Sequence, residues 1–300
     1  MISDEVLIRF LSDGSFHSGA DIGLQLGVSR TAIWKRLKKL SALGLAVDSV
    51  KGCGYRLSQK VELLDKDIIK TYLSGKAKAV IDELHIVSMT DSTNNYLLER
   101  LKSNQSLAVA NICLAEYQSS GRGRRGRAWI SPYGSNLYLS IDWQFDGGVA
   151  ALEGLSLAVG VVIARSLARM DVADVSLKWP NDILIKGAKL GGILIDVRGD
   201  HAGPCRIVVG VGINVNMSKQ DVDIDQLWTD LKSICGDVSR NNLAANIIEE
   251  LIVLLATFES TGLKPYVAQW QCLDAFSGKL VDVISGEHKT SGVCLGIADN

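Results

Sequence analysis

Glu116-Tyr-Gln-Ser-Ser-Gly-Arg-Gly-Arg-Arg-Gly-Arg-Ala-Trp129 decides how the rest of this 300-residue chain is read. Gly121, Gly123 and Gly126 give the backbone dihedrals closed to other residues. Between and after them stand Arg122, Arg124, Arg125 and Arg127. No acid occurs between residues 117 and 141, so nothing nearby in sequence neutralises these guanidiniums. They call for an anionic, planar, multidentate partner, and phosphate fits. Apolar runs flank the stretch, at 108–115 and 137–141, so it reads as a loop joining two strands of a buried sheet.

Other readings of the same residues fail on context. Gly121-x-Gly-x-x-Gly126 matches a dinucleotide fingerprint, which needs a helix directly after it. Ser131-Pro-Tyr-Gly134 follows instead, a turn cluster. A kinase glycine loop has no His-Arg-Asp or Asp-Phe-Gly to accompany it here. A disordered arginine–glycine segment for RNA is inconsistent with the short length and strand-like flanks. A structured anion-binding loop remains.

The composition, 47% hydrophobic and 22% charged, supports a substantial core, and the length suits about two domains, or three with a small one among them. Net charge is −1, but its distribution is uneven. Residues 1–29 carry Arg9 against Asp4, Glu5, Asp13 and Asp21, whereas residues 30–60 carry eight Lys or Arg against Asp48 alone. That polarity suits a polyanion. Six scattered cysteines and four dispersed histidines argue against a zinc site, a disulfide framework or a histidine-based triad, and for a reducing cytoplasm. The apolar run 150–168, interrupted by Glu153 and Arg165, is expected to be too short for a membrane span.

At the N-terminus, Ser3, Ser18 and Ser29 each can cap a helix, the third running over 30–43. Ile33, Leu37 and Leu40 form its apolar stripe. Thr31, Lys35 and Lys38 project from the other side, with Trp34 on the flank. Strands at 45–50 and 55–57 enclose a glycine turn tipped by Lys51. This order resembles a winged helix-turn-helix, whose third helix would read a DNA groove through Ser29, Arg30, Thr31, Trp34, Lys35 and Lys38 while Lys51 meets phosphate. A small helical domain whose lysines merely solvate one face is the plain alternative. A single such head offers a modest interface, so tight operator binding implies a dimer.

Downstream, Asp91-Ser-Thr-Asn94 crowds a helix N-terminus, where ordinary capping would need only one of the four. A strand at 175–178 ends in Lys178-Trp-Pro-Asn-Asp182, and a hairpin about residues 186–189 leads into Gly191 and Gly192. Gly210, Gly212, Asn214 and Asn216 alternate along a further strand and share one face. Collected, these groups are phosphate donors and amides without a nucleophile–base pair, which suits nucleotidyl transfer better than hydrolysis.

Asp91-Ser-Thr-Asn94, Gln118 with the arginine–glycine loop, and Lys178-Trp-Pro-Asn-Asp182 followed by Lys189-Leu-Gly-Gly-Ile together resemble the biotin–protein ligases. With the winged helix in front, the chain is similar to their bifunctional form, ligase and biotin-operon repressor. The resemblance implies an α+β fold: a winged helix-turn-helix over 1–60, a catalytic domain of class II synthetase-like type with a mixed or antiparallel sheet over 61–272, and an SH3-like β module over 273–300. Only two strands are expected in that last module, so it is expected to be truncated or completed by another element.

The resemblance also implies roles. Ser92, Thr93, Asn94 and Gln118 would bind the ureido ring of biotin, and Arg122, Gly123 and Arg124 would close over biotin and the activated phosphate. Lys189 would contact the biotin carboxylate and the α-phosphate, making Lys189, Arg124 and Arg122 the catalytic set. Lys178, Asn181 and Asp182 would assist ATP and Mg²⁺, with Arg125 and Arg127 on the adenylate. Trp129 either stacks on adenine or packs on the core. The implied substrates are biotin, ATP and a lysine on the biotin carboxyl carrier domain of acetyl-CoA carboxylase. Operator DNA and a ligand-dependent homodimer complete the partners, with no membrane. A ligand-sensing repressor without catalysis and a lipoate-type acyl ligase are the alternatives.

Overall fold

The computed structural model describes residues 4–103, 110–199, 203–217, 224–286 and 288–297. Helices α1 (Asp4–Leu11), α2 (Gly19–Leu26) and α3 (Arg30–Leu40) build the head. Ser18 and Ser29 cap α2 and α3 by accepting from Asp21 N and Ala32 N, and Gly27 closes α2 in the left-handed region. α3 is shorter than its pattern: a 3-10 turn, Ser41–Leu43, tightens its end before Gly44. Leu7, Ile8, Leu11, Ile22, Ile33, Leu37 and Leu40 bury together. Strands β1 (Val47–Val50) and β2 (Gly54–Leu57) pair antiparallel as the wing. Tyr55 exchanges two 2.8 Å backbone bonds with His17, tying wing to helices. Gly54 is obligatory there: a Cβ would sit 2.0 Å from His17 O.

The larger body begins with α4 (Lys66–Tyr72), capped by Asp65, and α5 (Gly75–Val80). It continues through β3 (Ile81–Thr90), α6 (Thr93–Ser103), β4 (Ala110–Gln118), β5 (Asn136–Phe145) and α7 (Leu155–Ala168). Next come β6 (Val175–Lys178), β7 (Asp182–Ile185), β8 (Ala188–Gly199) and β9 (Cys205–Asn214). α8 (Leu231–Cys235), α9 (Arg240–Thr261) and α10 (Val267–Leu273) finish it. The strands form one seven-stranded sheet in the order β3-β4-β5-β9-β8-β7-β6. Only β3 and β4 run parallel, so the sheet is mixed. β4 and β5 flank the arginine–glycine loop as antiparallel neighbours, as expected; residues 108 and 109 of the preceding apolar run lie outside the described residues.

Strand alternation divides the sheet faces. Leu137, Leu139 and Ile141 of β5 and Ile207, Val209, Val211 and Ile213 of β9 join α7 and α9 in the main core. Tyr138 and Ser140 stand opposite Gly212 and Gly210 on the other face. α6 packs over part of that face through Leu97 and Leu98, against Cys113 and Val208.

The 150–168 run needs a correction. With the 3-10 turn before α7 it spans Val149–Ala168, 20 residues, long and apolar enough to cross a membrane by length and composition. Its interruptions do not shorten it enough; ten residues of α7 are buried, and its apolar surface packs into the main core.

Beyond α10, β10 (Leu280–Ser285) and β11 (His288–Val293) pair antiparallel as a small β element. Ala275 N donates to Leu177 O, which sets the start of this segment against edge strand β6.

Candidate ligand site on the glycine-floored sheet face

The site is built where the sheet carries no side chains. Gly210 and Gly212 of β9 and Gly192 of β8 lie in register on the face away from the main core. A Cβ on Gly210 would meet Asn94 Oδ1 at 2.2 Å, and one on Gly212 would meet the Trp129 indole at 2.7 Å. A Cβ on Gly192 would lie 3.5 Å from the same indole and 3.6 Å from Lys189 Cε. Three glycines thus bring Asn94, Trp129 and Lys189 down onto one basin.

From one side comes the start of α6. Thr93 N donates to Gln118 Oε1 at 2.9 Å and Thr93 Oγ1 reaches the same oxygen at 3.2 Å. Ser140 Oγ lies 2.7 Å from Thr93 Oγ1 and 2.6 Å from Asn94 Oδ1. Asn94 Nδ2 donates to Asp196 Oδ2 at 2.8 Å and to Leu194 O at 3.3 Å. Ser92, Thr93, Asn94 and Gln118 are all buried, and this network meets the polar needs of Thr93, Asn94 and Gln118.

From above comes the arginine–glycine loop, which folds on itself. Gly123 N donates to Arg127 O at 2.7 Å and Trp129 N to Gly121 O at 2.8 Å. A Cβ on Gly121 would fall 2.4 Å from Trp129 O, so the fold of the loop requires glycine there. Arg125 takes a left-handed φ of 56°, uncommon for a residue with a side chain. Arg122 donates to Asp196 Oδ2 at 2.9 Å, and Arg124 touches Asn181 Oδ1 at 3.5 Å, the long limit of a hydrogen bond. Arg122 therefore has a carboxylate after all: Asp196 arrives from β8, 74 residues further on. Sequence neighbourhood could not reveal it. Arg125 and Arg127 are exposed.

From the third side, Lys189 pairs with Asp182 at 2.7 Å, with both side chains largely buried. Its ammonium stands 5.5 Å from the Trp129 ring centroid. The Trp129 Nε1 is buried and unpartnered, a donor aimed at no protein group. The indole lies on the glycine floor, over Gly192 and Gly212 and beside the site groups. Asn181 fastens the strand beneath by donating to Ile193 O at 2.8 Å. Lys178 is not brought in: it is exposed, with its ammonium 5.8 Å from the Phe276 ring.

Several site members escaped the sequence reading. Ser140 and Asp196 read as strand residues of no distinction. Segment 227–229 docks along Lys189, with Lys189 N donating to Leu227 O at 2.9 Å and Thr229 N to Lys189 O at 3.0 Å, which sets Trp228 beside it. Asn214 secures that segment through Thr229 O at 3.1 Å. Its place on the same face as the glycines was the available signal.

On the head, Arg30, Thr31, Trp34, Lys35 and Lys38 of α3 are exposed, as are Ser29 before it and Lys51 at the wing tip. Lys38 Nζ lies 3.8 Å over the Trp34 ring. Arg36 turns inward to Asp4 at 2.7 Å and leaves this surface.

The sequence pattern of the biotin/lipoate A/B protein ligase family matches residues 86–214, and that of a helix-turn-helix domain matches residues 4–56. The bifunctional ligase/repressor BirA of Salmonella typhimurium is 42% identical over 97% of this chain and 88% of its own length. That of Escherichia coli is 41% identical over the same shares. Among solved structures, the biotin protein ligase from Aquifex aeolicus in complex with biotin and ATP superposes with a TM-score of 0.59 at 27% identity, over 72% of this chain and 88% of that one.

Proposed function

The chain belongs to the biotin/lipoate A/B protein ligase family, in the branch of bifunctional ligase/repressors, and on that premise we propose how its residues divide the work. The protein activates biotin with ATP and transfers the biotinyl group to a lysine of the biotin carboxyl carrier domain of acetyl-CoA carboxylase. In the first step a carboxylate oxygen of biotin attacks the α-phosphorus of ATP, the bond to pyrophosphate breaks, and biotinyl-5′-AMP forms. In the second, the acceptor amine attacks the acyl carbon and AMP leaves. One observation carries this reading: buried amide and hydroxyl groups, arginines and Lys189 converge on a single glycine-floored basin.

Ser92, Thr93, Asn94 and Gln118 form the wall for the ureido ring. Arg122, Gly123 and Arg124 cover biotin and the phosphate, exclude water from the mixed anhydride and offset charge developing at phosphorus. Lys189 neutralises the biotin carboxylate and the α-phosphate, exchanging its present partner Asp182 for them. Arg125, Arg127, Trp129 and Asn181 serve the nucleotide; Lys178, set over Phe276, has the weakest geometric support. Mg²⁺ accompanies the triphosphate. Magnesium commonly takes one or two carboxylates plus substrate phosphates, and Asp182, held beside Lys189, would supply one. Among the described residues no group of three His, Cys, Asp or Glu side chains gathers for a metal.

The head represses transcription by binding operator DNA through Ser29, Arg30, Thr31, Trp34, Lys35, Lys38 and Lys51. Homodimerisation on adenylate binding would give the two heads the half-site spacing that tight binding requires, and by linkage the ligand would then strengthen DNA binding. The domains divide at 1–60, 61–272 and 273–300. Six free thiols suit a reducing, cytoplasmic setting. Biotin-dependent exchange of labelled pyrophosphate into ATP tests the ligase reading, and its absence overturns it. Operator affinity that is equal with and without biotin plus ATP would overturn the corepressor reading.

A further inference from the structure

We propose that Asp196 is a positioning residue for the activation step, the pin that keeps the biotin wall and the arginine loop in one register. The inference rests on the ligase reading of this site. A single carboxylate oxygen, Asp196 Oδ2, accepts from Asn94 Nδ2 at 2.8 Å and from Arg122 at 2.9 Å. Asn94 belongs to the α6 N-terminus, Arg122 to the loop after β4, and Asp196 to β8 in the middle of the sheet. Three separate elements therefore meet at one atom.

The geometry restrains both donors. Asn94 is buried, and both sides of its amide are occupied: Nδ2 by Asp196 and Leu194 O, Oδ1 by Ser140. An amide so held cannot rotate without breaking bonds in a dry setting. Gly210 beneath it makes room for this seat, since a Cβ there would fall 2.2 Å from Asn94 Oδ1. Arg122, by contrast, belongs to a largely exposed loop, and its side chain is 39% accessible. Without a fixed anion, a long guanidinium side chain there would sample many rotamers before ligand arrives. Asp196 is only 25% accessible, so its charge is screened less than a surface carboxylate's. Asp196 touches no substrate in this scheme. It acts through Asn94 and Arg122 by preorganisation, which lowers the ordering cost of binding.

The test is a double-mutant cycle in the full chain, read by biotin-dependent pyrophosphate exchange. Asp196→Asn is expected to raise KM for biotin about tenfold, as loss of one charge-assisted pair would, while kcat stays within about twofold. Because the two residues act as one unit, Asp196→Asn combined with Arg122→Ala should be little worse than the more damaging single change. Asp196→Glu, which keeps the charge, should recover most of the loss. A residue that merely supports the fold would lower the unfolding midpoint and leave the two substitutions multiplicative. An unchanged KM in Asp196→Asn, or multiplicative effects, overturns the proposal. Should Asp196→Asn fail to fold, Asp196→Ser runs the same cycle with Arg122→Ala: a raised KM for biotin with non-multiplicative effects upholds the pin, and an unchanged KM overturns it. Absence of exchange in the unsubstituted protein would remove the ligase reading itself, a different result from exchange that Asp196→Asn leaves untouched.

Discussion

At the scale of single residues, the site depends on side chains that are absent as much as on those present. Lys189 is the group whose loss should be most direct. Its ammonium is held in the basin by Asp182 at 2.7 Å, aimed by position rather than by contact with a catalytic base. Lys189→Ala should lower pyrophosphate exchange by about 10²–10³-fold, the range for removing one preorganised donor to a developing charge, and should also lower the unfolding midpoint, because Asp182 loses the partner of a largely buried pair. Gly210→Ala tests the floor. The new Cβ would fall 2.2 Å from Asn94 Oδ1, so the amide must leave its seat. The expected cost is about 1–3 kcal/mol of overpacking, with a raised KM for biotin. Gly187→Ala is the control: nothing stands within 4 Å and its φ is +80°, so it should cost about 1–2 kcal/mol of backbone strain and leave KM alone. Sequence displayed the arginines and the alternating glycines, but not what filled the space above them. Asp196 illustrates why: its partners Asn94 and Arg122 are 102 and 74 residues away, joined by sheet order rather than by spacing.

At the scale of elements, what carried a period or a cap was legible and what lacked both was not. The serine caps and apolar stripe announced α3, and its exposed face gives a prediction about DNA. Replacing Lys35 and Lys38 with Ala should weaken operator binding and reduce the slope of log affinity against log salt by up to about 1.8, near 0.9 per phosphate contact. Pyrophosphate exchange should be unaffected, because both side chains stand on the exposed face of the head. α5, six residues without an apolar stripe, gave no such signal, nor did the five-residue α8. β3 extends well past the apolar 84–87 because it is an edge strand, where Asp82, Glu83 and Ser88 are tolerated. His85 on that strand makes a pH prediction. Burial, then Arg100, holds its imidazole below the ordinary histidine range, although Glu83 Oε2 lies 2.8 Å away, too poorly aligned for a hydrogen bond. The unfolded chain therefore binds the proton more readily, and stability present above about pH 6.5 is lost as pH falls through that value toward the folded one. His85→Asn should flatten the decline in unfolding midpoint just below pH 6.5; an unchanged profile would refute the assignment.

At the scale of the molecule, head and catalytic body share a core residue, and this makes them one mechanical unit. The arginine loop continues through Ser131 and Pro132 to Tyr133, which is fully buried in the hydrophobic cluster of the head. Tyr133 N donates to Leu43 O at 2.8 Å, and its hydroxyl meets Ser88 of β3 at 2.9 Å. Burial pushes that phenol up to about 12, so it remains a neutral hydrogen-bonding group at any working pH. Beneath the connector between β2 and α4, residues 58–65, Arg240 donates to Glu116 Oε2 at 2.8 Å and to the carbonyls of Glu62 and Asn136, while Leu64 N donates to the other Glu116 oxygen at 2.6 Å. Both members of that pair are nearly inaccessible, so removing one leaves an unpaired buried charge, costing about 3–5 kcal/mol. The two attachments predict different failures. Arg240→Met should lower the midpoint of the whole chain, because β4, β5, α9 and the connector all lose a partner. Tyr133→Ala should cost about 3–5 kcal/mol from the head, whose cluster it fills. Differential scanning calorimetry should then resolve a separate low-temperature transition for the head, absent from the unsubstituted protein. Operator affinity should fall in the same variant although Tyr133 is inaccessible from the DNA-facing surface. A single transition with unaltered operator binding would mean that the head stands on its own core, with the loop merely resting against it.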